Sequence, residues 1–360
     1  MSQILAEPKQ NIQKIYGFDY LRAIFSLVVV IWHVFQPWTI QPQNFLTFVV
    51  MVISYDFLLL AVPVFLQISL FLFYVNRNNN PDYLKNRIPK LLKMYVFWVL
   101  LYSLVRLPES QFNFSRFPDL STIFEFILSG GNSLFYFFIT LIILLIIAEI
   151  NWQVVNQKTG LNQGKINHVL LITSALVVLL LPIAYIYKYQ QFTALISYWN
   201  PLNFLPCVFS SYWVFQHSNQ QPKPKKNSLF ICLLILIIFY LFFACIEWQY
   251  LYYNQEDMWL GGYQLPTYTR LSLFFGSWSL LLAGLMYSAK PPLIIKILSK
   301  YSLGIYCLHI FLNGVMDKIL TPIWAKHNLI NDLISLVIVV PAAILLTKFL
   351  KRYKFFHNLI

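Results

Sequence analysis

The sequence predicts an all-α membrane protein, a polytopic bundle of about ten transmembrane helices with both termini in the cytoplasm. Three observations lead to this fold class. Hydrophobic residues make up 59% of the 360 residues and charged residues only 11%, apolar stretches of helical length recur throughout, and the basic residues collect in alternate connecting segments. A single water-soluble core cannot bury so much apolar surface, so lipid must solvate most of the chain.

The candidate spans follow from length. A bilayer's hydrocarbon core is about 30 Å thick and an α-helix rises about 1.5 Å per residue, so a spanning helix needs about 20 apolar residues. The segments that approach this requirement are 16–35, 45–75, 88–107, 134–150, 168–187, 195–215, 229–246, 271–287, 301–320 and 329–346. Membrane strands would instead alternate in character over about ten residues. The long unbroken apolar runs therefore favour helices.

The orientation follows from the basic residues, because Lys and Arg accumulate in short cytoplasmic loops. With ten spans, nineteen of the 26 Lys and Arg residues fall on the side of the two termini, and Arg22 lies inside the first span. The six on the other side are Arg106, Arg116, Lys188, Arg270, Lys318 and Lys326. We therefore expect residues 1–15 to be a cytoplasmic segment, 16–346 the membrane domain, and 347–360 a basic cytoplasmic tail.

The remaining composition excludes several other functions. The net charge of +13 is accounted for by the topology rule, so no nucleic-acid partner is expected. The cysteines stand singly in apolar runs, without the spacing of metal ligands, so we expect packing roles and no metal. The outer segment 247–269 mixes aromatic rings with carboxylates and amides. That mixture suits either sugar stacking or an interfacial aromatic belt.

The first span carries ionisable residues that are expensive inside a membrane and are therefore functional candidates. Asp19 and Arg22 are three residues apart and can pair on one helix face. Arg22 and His33 are eleven apart, which places them on a similar face, roughly 16 Å apart along the helix axis. The alternative is an interfacial ion pair, with His33 belonging to an aromatic belt between Trp32 and Trp38.

The segment FDYLRAIFSLVVVIWH at 18–33 resembles the signature of the acyltransferase type 3 family, polytopic enzymes that acylate sugars and cell-surface glycans. The family's Arg and His, separated by ten residues, map onto Arg22 and His33. Further similarity follows in family order: AVPVFLQISLFLF at 61–73 supplies Ser69, YLKNRIPK at 83–90 supplies Arg87 and Lys90, and KYSLGIYCLHIF at 300–311 supplies Ser302, Tyr306 and His309.

Two positions depart from the family pattern. Leu70 stands where the family usually has Gly, and SLFYFFITLI at 133–142 contains neither the His nor the Trp of a His-Leu-Trp-Phe-like element. These departures are compatible with an altered substrate or with an inactive relative of the family. His309, about nine residues into its span, is either part of the site or a hydrogen-bonding link to a neighbouring helix.

The resemblance implies an O-acyltransferase of the plasma or inner membrane, embedded in membrane lipid. The donor would be a cytoplasmic acyl-CoA, with acetyl the expected acyl group, and the acceptor a sugar or an exported polysaccharide. Imidazole titrates near neutral pH, so His33 is the candidate base. The cations Arg22, Arg87 and Lys90 would bind the donor's phosphates, and Asp19, Ser69, Tyr306 and His309 would support the site.

Other readings remain open from the residues alone. A transporter or flippase of a lipid-linked glycan or amphiphile would also use buried Arg, His and Asp groups, although no inverted repeat is visible. Direct transfer and an acyl-enzyme intermediate are equally compatible with the sequence.

Overall fold

A computed structural model describes residues 15–36, 44–110, 119–156, 162–186, 193–219, 226–253, 266–320 and 329–360. Within these ranges all regular secondary structure is helical, which confirms the predicted fold class. The α-helices are α1 (Tyr16–Phe35), α2 (Phe45–Ile53), α3 (Ala61–Asn79), α4 (Tyr83–Ser110), α5 (Leu120–Leu128), α6 (Tyr136–Asn156), α7 (Asn162–Ile186), α8 (Thr193–Ile196), α9 (Leu205–Asn219), α10 (Lys226–Tyr253), α11 (Leu271–Met286), α12 (Leu293–Leu320) and α13 (Leu329–Leu350). A π-helical turn, Ser54–Leu58, joins α2 to α3, and 3₁₀ turns occupy Pro201–Phe204 and Phe356–Asn358.

Eight helical segments of the described chain are long and apolar enough to cross a bilayer, with α2, the π-turn and α3 forming one of them. Of the two other expected spans, 271–287 coincides with the shorter helix α11. The expected span 195–215 is instead divided among α8, the 3₁₀ turn Pro201–Phe204 and α9. The chain is therefore a multi-pass membrane protein by composition and helix length. The count of ten spans and the cytoplasmic position of both termini stay predictions.

Several helices extend beyond the expected spans, so some connections are shorter than the sequence suggested. Helix α3 ends at Asn79 and α4 begins at Tyr83, which leaves only three residues between the two helices. Helix α10 continues through Glu247 to Tyr253. The expected outer loop 247–269 is therefore helical at its start, while residues 254–265 lie outside the described residues.

Helix α1, which carries Arg22 and His33, packs against α3, α11, α12 and α13. At one end its backbone approaches α11 so closely that a Cβ on Gly17 would lie 2.0 Å from the Gly284 carbonyl oxygen. Any side chain at position 17 would force the two helices apart. Small residues at such crossings are typical of membrane bundles, where close backbone contact provides much of the helix association.

The segment expected as a basic tail partly belongs to the bundle. Helix α13 continues to Leu350, and the residues after it turn back onto α4. The fully buried indole of Trp98 donates a hydrogen bond of 2.9 Å to the Leu359 carbonyl, and the Leu359 and Ile360 side chains are buried. Trp98 also stacks on Phe135, so this segment closes one side of the bundle.

Candidate active site

A cavity of about 330 Å³ lies at the end of the bundle formed by the C-terminal part of α1 and the N-terminal ends of α6 and α11. Aromatic and aliphatic side chains contribute to its wall in equal number. Trp32 and six tyrosines line it, namely Tyr55, Tyr102, Tyr136, Tyr198, Tyr268 and Tyr306. The other polar lining groups are the side chains of His33, Asn132, Ser133 and Thr267. A mostly apolar concavity with a few convergent polar groups is the usual form of a small-molecule site.

His33 lies on this wall near the C-terminal end of α1, and its ring centroid is 5.1 Å from that of His309 on α12. His309 is fully buried, and its Nδ1 lies 3.0 Å from the Ile305 carbonyl oxygen one turn earlier. A carbonyl oxygen only accepts, so Nδ1 must carry the hydrogen. The Nε2 atom of a neutral His309 is therefore an acceptor, and it has no hydrogen-bond partner among the described residues.

Tyr306 connects α12 to the beginning of α6. Its hydroxyl donates a hydrogen bond to the Leu134 carbonyl, and its ring forms part of the cavity wall. The preceding turn requires left-handed backbone at Gly130, Gly131 and Asn132, with φ angles of 61°, 73° and 54°. Glycine adopts these angles without steric penalty, and asparagine is the side chain that tolerates them best. This turn brings Asn132 to the rim of the cavity.

The segment 133–142 departs from the family pattern in the sequence, yet it still contributes to the site. Ser133, Leu134 and Tyr136 all line the cavity. Phe135 faces the other way and stacks on Trp98 of α4. The segment therefore supplies a hydroxyl-bearing wall here, although it supplies neither an imidazole nor an indole.

The predicted cationic residues lie at the opposite end of α1. Arg22 is half-buried and lies near enough to both Asp19 and Arg87 to interact with them electrostatically. Asp19 also accepts a hydrogen bond of 3.0 Å from the Ser299 hydroxyl of α12. The structure thus brings Arg22, Asp19 and Arg87 together. Lys90, one turn after Arg87 on α4, has an exposed side chain.

Ser69 is not among the residues that line the cavity. It lies half-buried on α3, next to the fully buried Leu70. The buried polar group of this helix is instead Gln67, which sequence reasoning did not single out. Its side-chain nitrogen donates to Ser210 at 3.0 Å, and its side-chain oxygen accepts from Ser211 at 3.0 Å. A membrane-buried amide needs such partners, so this cluster ties α3 to α9.

A second polar cluster, which sequence reasoning also missed, lies behind the Tyr55 side of the cavity. Arg270, which the sequence placed in an outer loop, is buried immediately before α11. Its guanidinium donates to Asp56, to Glu247 at 2.8 Å and to the Tyr55 carbonyl at 3.2 Å. Asp56 also accepts a hydrogen bond from the Trp248 indole. Asp56 inside an apolar span was the available signal, because such a residue requires a partner.

Glu149 forms a polar link between two helices. It accepts two hydrogen bonds from Arg77, of 2.7 and 2.9 Å, and so joins α6 to the end of α3. Among the described residues, no three His, Cys, Asp or Glu side chains lie close enough together to hold a metal ion.

Comparison with known proteins agrees with the sequence resemblance. A family model for an acyltransferase domain, acyltransferase type 3, matches residues 15–348, nearly the whole chain. Searches of curated proteins and of solved structures found no significant match. The family match includes α1 with Arg22 and His33 as well as α12 with Tyr306 and His309. The chain therefore belongs to the acyltransferase type 3 family, and this membership indicates that it is a membrane acyltransferase.

Proposed function

We propose that the protein transfers an acyl group, with acetyl the expected one, from a cytoplasmic acyl-CoA to a hydroxyl of a sugar or an exported polysaccharide. The observation that carries this proposal is the position of His33. Its imidazole lies on the wall of the tyrosine-lined cavity, and roughly 16 Å of α1 separates it from Arg22. One helix thus presents a candidate base at one end and a cation at the other.

The aromatic wall supports a sugar acceptor. Tyrosine and tryptophan rings offer apolar faces that stack on the C–H faces of a sugar ring, while tyrosine hydroxyls both donate and accept hydrogen bonds. Thr267, Ser133 and Asn132 add further neutral hydrogen-bonding groups. The cavity volume of about 330 Å³ lies at the small end of the range for ligand sites, which suits one sugar unit of a longer acceptor.

The cationic end supports an acyl-CoA donor. Arg22 is attracted by Asp19 and, to a smaller extent, repelled by Arg87, and the three side chains together carry a formal positive charge. An arriving phosphate would relieve the repulsion and accept charge-assisted hydrogen bonds from the guanidiniums. The exposed Lys90 extends the positive surface on the same helix as Arg87. We place the donor's phosphates at this end and its thioester at the His33 end.

In direct transfer, the acceptor O–H bond breaks as its oxygen attacks the thioester carbonyl, and the proton passes to a ring nitrogen of His33. The new C–O ester bond forms, the C–S bond breaks, and the sulfur leaves as a thiolate that takes up a proton. His309 would support this step by positioning His33, since their rings are adjacent. Such a base typically contributes about 10²–10⁴-fold in rate.

The test is transfer of label from acyl-CoA to a surface-glycan fraction by the purified full-length protein. His33→Ala should reduce transfer by about 10²–10⁴-fold while the protein remains inserted and monodisperse. His168→Ala is the matched control, because His168 is an exposed histidine on α7 that does not line the cavity. Near-normal turnover of His33→Ala would remove the base from this mechanism.

A further inference from the structure

The described part of the cavity wall carries several polar groups but no fixed charge. Among the described residues that line it, the polar side chains are hydroxyls of Tyr, Ser and Thr, the Asn132 amide, the Trp32 indole and the His33 imidazole. The described lining contains no Asp, Glu, Lys or Arg. Along the described wall, a ligand therefore meets hydrogen-bond donors and acceptors but no permanently charged side chain.

The charged cluster that adjoins the wall contains one cation, Arg270, which is bound to two carboxylates. Arg270 follows Tyr268 by two residues, and Asp56 follows Tyr55 directly, so the ion cluster adjoins two lining tyrosines. The nitrogens of Arg270 already donate to Asp56, to Glu247 and to the Tyr55 carbonyl. One guanidinium is thus shared between two carboxylates, and the formal charge of the three side chains is negative.

Two effects disfavour the binding of an anionic group in this cavity. A carboxylate or phosphate entering the cavity loses water without gaining a cationic partner, and the adjoining cluster repels it. The group would also stabilise the protonated form of His33, which cannot accept the acceptor's proton. A neutral sugar ring meets neither difficulty.

We propose that the acceptor unit entering this cavity is electrically neutral, so that hydroxyls of uncharged sugar residues are acylated and those of carboxylated or phosphorylated residues are rejected. This inference rests on the proposed function, since it assumes that the cavity receives the acceptor. It assigns the discrimination to the uncharged lining and to the occupied Arg270 guanidinium behind it.

The test uses two probes that differ in charge and little else, glucuronate and its neutral analogue glucuronamide. Their binding to the full-length protein is followed by tryptophan fluorescence, with Trp32→Phe identifying the signal from the cavity. We expect glucuronamide to bind more tightly, by on the order of a hundredfold, because a buried carboxylate lacks a counter-charge. Equal binding of the two probes, or tighter binding of glucuronate, would overturn the proposal.

A substitution in the cavity wall tests whether the absence of charge causes the preference for a neutral ligand. Thr267 is only partly buried, so Thr267→Lys can place an ammonium at the cavity while Thr267→Gln adds a neutral side chain of comparable reach. The lysine variant should bind glucuronate more tightly relative to glucuronamide, and the glutamine variant should keep the original preference. An unchanged ratio in the lysine variant would contradict the electrostatic explanation.

Activity provides the link to the acceptor. Label from acyl-CoA should appear on neutral sugar residues when the glycan product is cleaved with its esters intact and analysed by mass spectrometry. Label on a uronate or a phosphorylated residue would overturn the inference. If no glycan takes label while the neutral probe is still preferred, the proposed function fails and the selectivity of the cavity stands.

Discussion

The His33 and His309 rings lie 5.1 Å apart, although they belong to the first and twelfth α-helices of the described chain. The Ile305 carbonyl holds the hydrogen of His309 on Nδ1, which leaves Nε2 as an acceptor on a fully buried ring. This pairing makes α12 a structural support for the candidate base on α1.

His309→Ala should therefore reduce transfer less than His33→Ala does. Loss of one ring–ring contact of about 0.5–1.5 kcal/mol corresponds to roughly a 2- to 12-fold fall in turnover. His309→Phe, which retains a ring beside His33, should recover part of the rate. The pH profile of turnover should also change in His309→Ala, because its neighbour His33 loses an adjacent titratable ring. A turnover equal to that of His33→Ala in both variants would indicate that His309 itself takes part in proton transfer.

Arg22→Ala and the paired Arg87→Ala/Lys90→Ala variant should raise the half-saturating concentration of the donor more than that of the acceptor. The reason is that Arg22 lies toward the N-terminal end of α1, away from the cavity, with Arg87 of α4 close enough to interact with it. Lys165→Ala removes the same charge from an exposed site on α7 and should leave donor titrations unchanged. Equal effects on donor and acceptor half-saturation would contradict the placement of the donor.

Cysteine accessibility should place positions 79 and 255 on opposite sides of the membrane. Asn79 is exposed at the end of α3, and Gln255 lies outside the described residues. The background should lack all four native cysteines, so that each variant carries a single thiol at the tested position. A membrane-impermeant thiol reagent should then label position 255 from outside and position 79 only after permeabilisation. Labelling of both from one side would rule out the ten-span topology.

Arg270→Ala should destabilise the protein by about 3–5 kcal/mol, because it leaves two carboxylates near each other in a buried site. The Arg270 side chain is 1% exposed, and its partners Asp56 and Glu247 are 2% and 12% exposed. Arg77→Ala is the comparison, since it breaks an ion pair whose partners are 16% and 13% exposed. Arg77→Ala should lower the free energy of unfolding by less, about 1 kcal/mol. Thermal unfolding in detergent or nanodiscs measures the stability of both variants. If the two variants lost the same stability, the Arg270 cluster would contribute no more than the Arg77 ion pair.

The sequence was sufficient for the helices but not for the contacts between them. Span 16–35 coincides with α1, because an uninterrupted apolar run of that length has one stable form in lipid. Helix ends were less predictable. Glu247 is polar and resembles a loop residue, yet it remains in α10 because Arg270 neutralises it there.

The site was predicted only in part for the same reason. His33 and Tyr306 stand out in the sequence and do line the cavity. Gln67 and the tyrosines of the wall are unremarkable in an apolar chain, and only the fold shows which helices they face. Ser69 illustrates the reverse, a residue indicated by family pattern that the fold places away from the cavity.

The close crossing of Gly17 and Gly284 fixes the position of α1 against α11, because neither backbone can advance without a clash. Helix α1 thereby holds Arg22 and His33 at a fixed separation of roughly 16 Å along its axis. In the proposed function, a donor whose phosphates bind near Arg22 must be long enough for its thioester to reach His33. Small activated donors such as acyl phosphates, with anion and acyl carbon in adjacent positions, can satisfy only one of the two ends at a time.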